Sequence, residues 1–162
     1  MLMIRKAAIG DVEAIKSIIN AHAKKGLMLP RATYEVYETI RDFYVAQENR
    51  KVIGCCAIHI YGREYKDNTI TEHVLGELRS LAVLPANQGN DVGTELVEYA
   101  ISDVKSIGIT KVFTLTYVKD FFKKMKFWEI KRHELPQKIW SDCKGCIKFP
   151  DECDETAMVR EI

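Results

Sequence analysis

Chemistry in this sequence is concentrated in a carboxylate, a glycine-bearing loop, a Pro-Arg pair and a cysteine-rich tail. Glu77 lies six residues before Val83, in the run Glu77-Leu-Arg-Ser-Leu-Ala-Val83. A carboxylate there could take a proton as a general base. A lone Glu in a strand is as often an edge residue facing water. Period-two alternation puts Glu77, Arg79, Leu81 and Val83 on one face of a strand. The run passes Pro85 and reaches Gln88-Gly89-Asn90-Asp91-Val92-Gly93-Thr94. A helical apolar stripe follows at once. A helix N-terminus presents unpaired N–H groups and a partial positive charge, so this order suits a pyrophosphate. Glycine lets the backbone approach such a ligand closely. The same order also serves as an ordinary strand-to-helix turn.

The tail carries Cys143-x-x-Cys146 and Cys153. With His133 or an acid these are zinc-ligand types. The second half of the motif is incomplete, so the reading is no metal, with reduced thiols in an irregular segment covering the substrate pocket. Cys55 and Cys56 are adjacent in a strand-like run, and five cysteines is an odd number. Reduced thiols suit that better than a disulfide framework.

The surrounding elements follow from periodicity. Residues 4–9 read as a strand. Gly10-Asp11 offers an N-cap for a helix with Val12, Ile15, Ile18 and Ile19 on one face. Thr33 is the expected cap of a second helix, with Val36, Tyr37 and Ile40 on one face. Residues 42–48 and 51–61 read as strands around an Asn49-Arg50 turn. The polar stretch 62–73 reads as a surface loop. Strands are expected at 75–84, 111–117, 127–131 and 157–160. Helices are expected at 92–107, with Leu96, Val97, Ala100, Ile101 and Val104 on one stripe, and at 120–124. The sum is one α/β domain over residues 1–162 with a central mixed sheet, and residues 135–162 form its tail.

Two segments resemble the GNAT-type N-acetyltransferases. Gln88, Gly89 and Gly93 match the family's Gln/Arg-Gly-x-Gly-x-Gly loop, with Asp91 where the middle glycine normally sits. Val112-Phe-Thr-Leu-Thr-Tyr117, followed by Phe121-Phe122 and Lys126-Phe127, looks like the family's second motif. Phe122 stands where many relatives carry Tyr, and Lys126 replaces the usual glycine. The pieces Leu29-Pro-Arg31, Ile40-Arg41-Asp42-Phe43, Ser80-Leu-Ala-Val83 and Leu135-Pro-Gln-Lys138-Ile-Trp140 are similar to the short stand-alone relatives of N-acetylglutamate synthase, which belongs to arginine biosynthesis.

The resemblance implies a largely antiparallel GNAT-like sheet flanked by helices, and acetyl-CoA as cosubstrate. It places acetyl-CoA against Leu81, Ala82, Val83 and residues 88–94, namely Gln88, Gly89, Asn90, Asp91, Val92, Gly93 and Thr94, and against Phe121 and Phe122. It makes Glu77 the base. Tyr117 is the nearest hydroxyl to serve the leaving thiolate. Arg31 matches the substrate-binding arginine; Lys138 and Arg79 are further candidates for a dicarboxylate acceptor such as L-glutamate. For the basic residues the alternative is a solvated surface charge. Another amine as acceptor, or a sensor module that binds coenzyme A poorly, are the competing functions. Asp91, Phe122 and Lys126 favour the last.

Bulk composition agrees with a small-molecule enzyme. The chain has 162 residues, 24 Lys plus Arg and 23 Asp plus Glu, for a net charge of +1. That balance draws neither a polynucleotide nor an anionic membrane, so neither partner is expected. The first residues lack a signal-peptide pattern, and no apolar run approaches a membrane span. A cytoplasmic location is expected, and a homodimer by analogy with the family.

Overall fold

Seven strands build one mixed sheet in the computed structural model, which describes residues 1–135, 144, 146, 148 and 152–162. The strands are β1 (Leu2–Lys6), β2 (Phe43–Glu48), β3 (Lys51–Lys66), β4 (Thr69–Val83), β5 (Lys111–Thr116), β6 (Trp128–Ile130) and β7 (Thr156–Glu161). Their spatial order is β1-β2-β3-β4-β5-β7-β6. The pairs β1–β2, β2–β3, β5–β7 and β6–β7 are antiparallel, and β4–β5 is parallel. The helices are α1 (Val12–Ala23), α2 (Thr33–Glu38), α3 (Val92–Ser106) and α4 (Lys119–Lys124). The expected mixed, largely antiparallel sheet with flanking helices is what forms.

The described residues divide into two units, Met1–His59 with Leu78–Ile107, and Ile60–Glu77 with Gly108–Ile162. Strands β3 and β4 contribute residues to each. In the first unit, Val12, Ile15, Ile18 and Ile19 of α1 are buried with Val36, Phe43, Val45, Cys55, Ala57 and Ala82. The expected stripe of α3 is likewise buried. Tyr44 of β2 donates to Asp103 of α3 at 2.8 Å, and Lys6 of β1 pairs with the same carboxylate at 3.0 Å. These contacts tie the C-terminal turn of α3 to β1 and β2.

In the second unit, Leu75, Phe113, Leu135, Ala157 and Val159 form a buried cluster, with Tyr61, Leu115 and Ile130 against it. Leu75 to Glu77 of β4 pair with Lys111 to Phe113 of β5.

Four local expectations are corrected. Residues 62–73 are not a surface loop: β3 runs to Lys66 and β4 starts at Thr69, joined by Asp67 and Asn68 at φ 50° and 59°. Two left-handed residues make the turn whose twist suits a hairpin, and Asn and Asp tolerate it. The polar side chains are used within the unit, where Lys111 and Thr71 donate to Glu64 at 2.8 and 2.9 Å. Thr33 is the first helical residue of α2; Ala32 is the extended residue before it, and its N–H donates to Glu35 at 2.6 Å. Strand β1 stops at Lys6, and Ile9–Asp11 form a single 3-10 turn. Asp11 makes no side-chain cap to α1. Its carboxylate instead receives both arms of Arg5, at 2.7 and 2.9 Å, and the Ala8 N–H at 2.8 Å.

Candidate functional site

The first unit holds the loop that leads into α3. Strand β4 ends at Val83, and Pro85–Asn87 form a 3-10 turn. Gln88 then folds back, its amide donating to the Val83 carbonyl at 3.0 Å. Gly89 has φ 82°, a conformation that glycine adopts without a Cβ penalty. Asp91 is the N-cap of α3, at φ 57° and ψ 4°. The Glu95 N–H closes the first turn on the Asp91 carbonyl at 2.9 Å. The N–H groups of Val92, Gly93 and Thr94 therefore lie in the first helical turn, where a helix has no carbonyl of its own to offer them. Asn90 and Asp91 are exposed beside that turn, and Val92 is buried under it. Fifteen residues of helix stand behind these N–H groups, so the partial positive charge is fully developed there.

Within β4, Ser80 has φ 56°. The Cys55 thiol donates to its carbonyl at 3.6 Å. The left-handed residue interrupts the pleat, so Glu77, Arg79, Leu81 and Val83 do not follow the strict alternation expected of them. Leu78, Ala82 and Val83 are buried, while Glu77, Arg79, Ser80 and Leu81 are half-buried. Such an irregularity turns backbone polar groups away from the regular ladder. Arg31 is placed in the same unit by Asn20 of α1. The Asn20 side chain accepts from the Arg31 N–H at 2.9 Å and donates to its carbonyl at 3.2 Å.

The second unit holds Glu77, whose Oε2 accepts a hydrogen bond from the Tyr61 hydroxyl at 2.9 Å. Tyr61 carried no signal of its own in the sequence beyond closing an apolar run. Tyr117 follows β5, and the Lys148 ammonium donates to its oxygen at 3.1 Å and lies 4.7 Å from its ring centroid. Burial pushes the Tyr117 phenol up, and the bond from Lys148 opposes that. Glu155 is raised above the usual carboxylate range, first by burial, with Asp154 and Glu77 adding and Arg132 and Lys148 opposing. The Arg132 guanidinium donates to the Glu155 carbonyl and lies 3.0 Å from the Cys153 sulfur. Arg132, Lys148 and Glu155 carried no signal in the sequence; Glu155 is placed beside the end of β5 by the pairing of Thr116 with Thr156, segments far apart in the chain.

Phe122 is buried edge-on between Phe121 and Phe127, with ring centroids 5.0 and 5.2 Å away. Lys126 has φ 64°, a left-handed geometry that glycine adopts without a Cβ penalty. Lys138 and Cys143 lie outside the described residues. Cys55, Cys56, Cys146 and Cys153 are free thiols, and burial pushes Cys55 up to about 12. Among the described residues no group of three His, Cys, Asp or Glu is arranged to hold a metal. None of their helices is long and apolar enough to cross a membrane.

Residues 39–129 match the acetyltransferase (GNAT) domain family. An uncharacterised N-acetyltransferase of Chlorobaculum tepidum is 42% identical over 159 residues, covering 98% of this chain and 96% of its own. The chain therefore belongs to the GNAT acetyltransferase family. It is also similar to an amino-acid acetyltransferase of Mycobacterium tuberculosis, at 29% identity over 92% of this chain and 84% of that one. The fold matches N-acetylglutamate synthase of Neisseria gonorrhoeae, a structure complexed with coenzyme A and N-acetyl-glutamate, with a TM-score of 0.83 at 23% identity. That match covers 99% of this chain and 35% of the longer one.

Proposed function

We propose that this protein transfers the acetyl group of acetyl-CoA to the α-amino group of an amino acid, with L-glutamate the leading acceptor. The start of α3 carries the reading: a left-handed Asp91 cap after Gly89 leaves the N–H groups of residues 92–94 at the head of a long helix. A pyrophosphate is the ligand that such a head suits. Relatives named amino-acid acetyltransferase support the acceptor class.

An acceptor ammonium must lose a proton before its nitrogen can attack a thioester. Glu77 takes that proton. The tetrahedral oxyanion is met by backbone N–H groups of the irregular stretch Leu81 to Val83. Collapse breaks the carbon–sulfur bond, and the thiolate takes a proton from Tyr117 or from water, since a thiol's ordinary pKa makes either route feasible near neutral pH. Phe122 has no proton to give and serves as packing. Arg31 grips one acceptor carboxylate with its fork of donors, and Lys138 or Arg79 meets the second.

A second reading has its own observation. Glu155 interacts with Glu77 as a like charge, and a second carboxylate near the proposed base suits an acceptor with further positive charge, such as a polyamine. Release of coenzyme A thiol, measured with L-glutamate, L-glutamine, spermidine and a peptide amine in parallel, separates the two. Glutamate is expected to be fastest, and Arg31→Ala to raise its KM about 10- to 150-fold, the loss of a charge-assisted hydrogen bond. Rapid acetylation of spermidine with none of glutamate would establish the second reading instead.

A further inference from the structure

Tyr61 is a residue that the acetyl-transfer reading leaves unused. Its hydroxyl donates to Glu77 Oε2 at 2.9 Å. Its ring lies tilted against Phe113, with centroids 5.5 Å apart. It packs on the cluster of Leu75, Phe113, Leu135, Ala157 and Val159. Phe113 is also the residue paired with Glu77 across β4 and β5, and it is 1% exposed. One aromatic side chain thus links the buried core beside Glu77 to the carboxylate itself. A ring held by packing presents its hydroxyl along one direction, because only two torsions place it.

We propose that Tyr61 is a positioning residue for Glu77, fixing the orientation of the carboxylate that removes the acceptor's proton. The inference rests on Glu77 being the base. In the step itself, an N–H bond of the ammonium breaks and its electron pair stays on nitrogen. The proton forms an O–H bond on Glu77, and Tyr61 keeps its own proton throughout. The freed nitrogen pair forms the new bond to the thioester carbon as the carbonyl pair moves onto oxygen. On collapse that pair returns, the carbon–sulfur pair leaves with sulfur, and the second N–H proton of the cationic nitrogen passes to water, leaving the neutral amide. A phenol bound to a carboxylate also favours its ionised form. Glu155 acts the other way, since it and Glu77 repel each other and a second carboxylate favours protonation. Tyr61 therefore works to keep Glu77 ionised against a second carboxylate, Glu155.

A double-mutant cycle of Tyr61→Phe and Glu77→Gln in the full chain tests this. Phe keeps the ring on Phe113 and removes only the hydroxyl. Tyr61→Phe is expected to lower kcat about 10- to 100-fold, with the KM for acetyl-CoA changed by less than about twofold. Its acid limb of kcat should move to higher pH, because the ionised carboxylate has lost a donor. In the Glu77→Gln background the same change should have little further effect. A merely structural hydroxyl would lower Tm and leave the acid limb in place. If Tyr61→Phe leaves kcat and the acid limb unchanged while Glu77→Gln lowers kcat, the proposal is overturned and Glu77 remains the base. Wild-type kcat in Glu77→Gln overturns the base and the proposal together.

Discussion

Asp91 and Lys126 both stand where the family pattern has glycine, and both adopt left-handed backbone, at φ 57° and 64°. Each non-glycine residue there costs roughly 1 kcal/mol. Both residues thus take a conformation that glycine would adopt without a Cβ penalty. Asp91 adds a second effect, a carboxylate beside the proposed pyrophosphate. Asp91→Gly is expected to tighten acetyl-CoA binding about two- to fivefold, from relief of an exposed like-charge contact of about 0.5–1 kcal/mol. Calorimetric titration of both proteins reads this directly. Equal or weaker binding would place the pyrophosphate away from the α3 head. At this scale Gln88-Gly89 and Glu77 stand out in the sequence by residue type and spacing. It was silent at Ser80 and Tyr61. Nothing in a serine announces φ 56°. A tyrosine's partner 16 positions away depends on strand pairing rather than on spacing.

The elements divide by how they are stabilised. Helices α1 and α3 were legible because their burial is periodic at 3.6 residues, and their apolar stripes are the buried ones. The end of β3 and the start of β4 were missed because their side chains are polar. Their order comes instead from the left-handed Asp67-Asn68 turn and from the bonds of Lys111 and Thr71 to Glu64. The start of α1 was misread in detail for a related reason. Asp11 is a typical capping residue, but Arg5 competes for it with two charge-assisted bonds. The bonds from Arg5 lead in holding Asp11 below the usual carboxylate range, with burial opposing and the Ala8 N–H helping. A carboxylate with a lowered native pKa contributes stability that is present above its unfolded pKa and is lost as pH falls through the native one. Asp11→Asn should therefore lower stability at neutral pH by about 1.5–3 kcal/mol. The gap from wild type should narrow below about pH 4, the ordinary carboxylate value, and close below the lowered native pKa. Thermal melts across that range check it, and a gap independent of pH would show that the Arg5 pair is not the source.

Across the whole molecule, the two units interleave in sequence, because β3 and β4 each supply residues to both. That is why composition and charge reveal no boundary along the chain. The α3 head with its loop lies in the first unit and Glu77 with Tyr61 in the second, while β4 carries both Glu77 and the Leu81–Val83 stretch. In the proposed function, cosubstrate binding and proton removal fall to different residues, and these are separable by experiment. The most direct measurement compares wild type and Glu77→Gln for acetyl-CoA Kd and for kcat with the best acceptor. Gln keeps the shape of the side chain and cannot take a proton. The role proposed for Glu77 requires a Kd within about twofold and a kcat lower by about 100- to 10,000-fold, the range for losing a general base. A kcat within about threefold of wild type would contradict it, because proton removal would then not pass through Glu77.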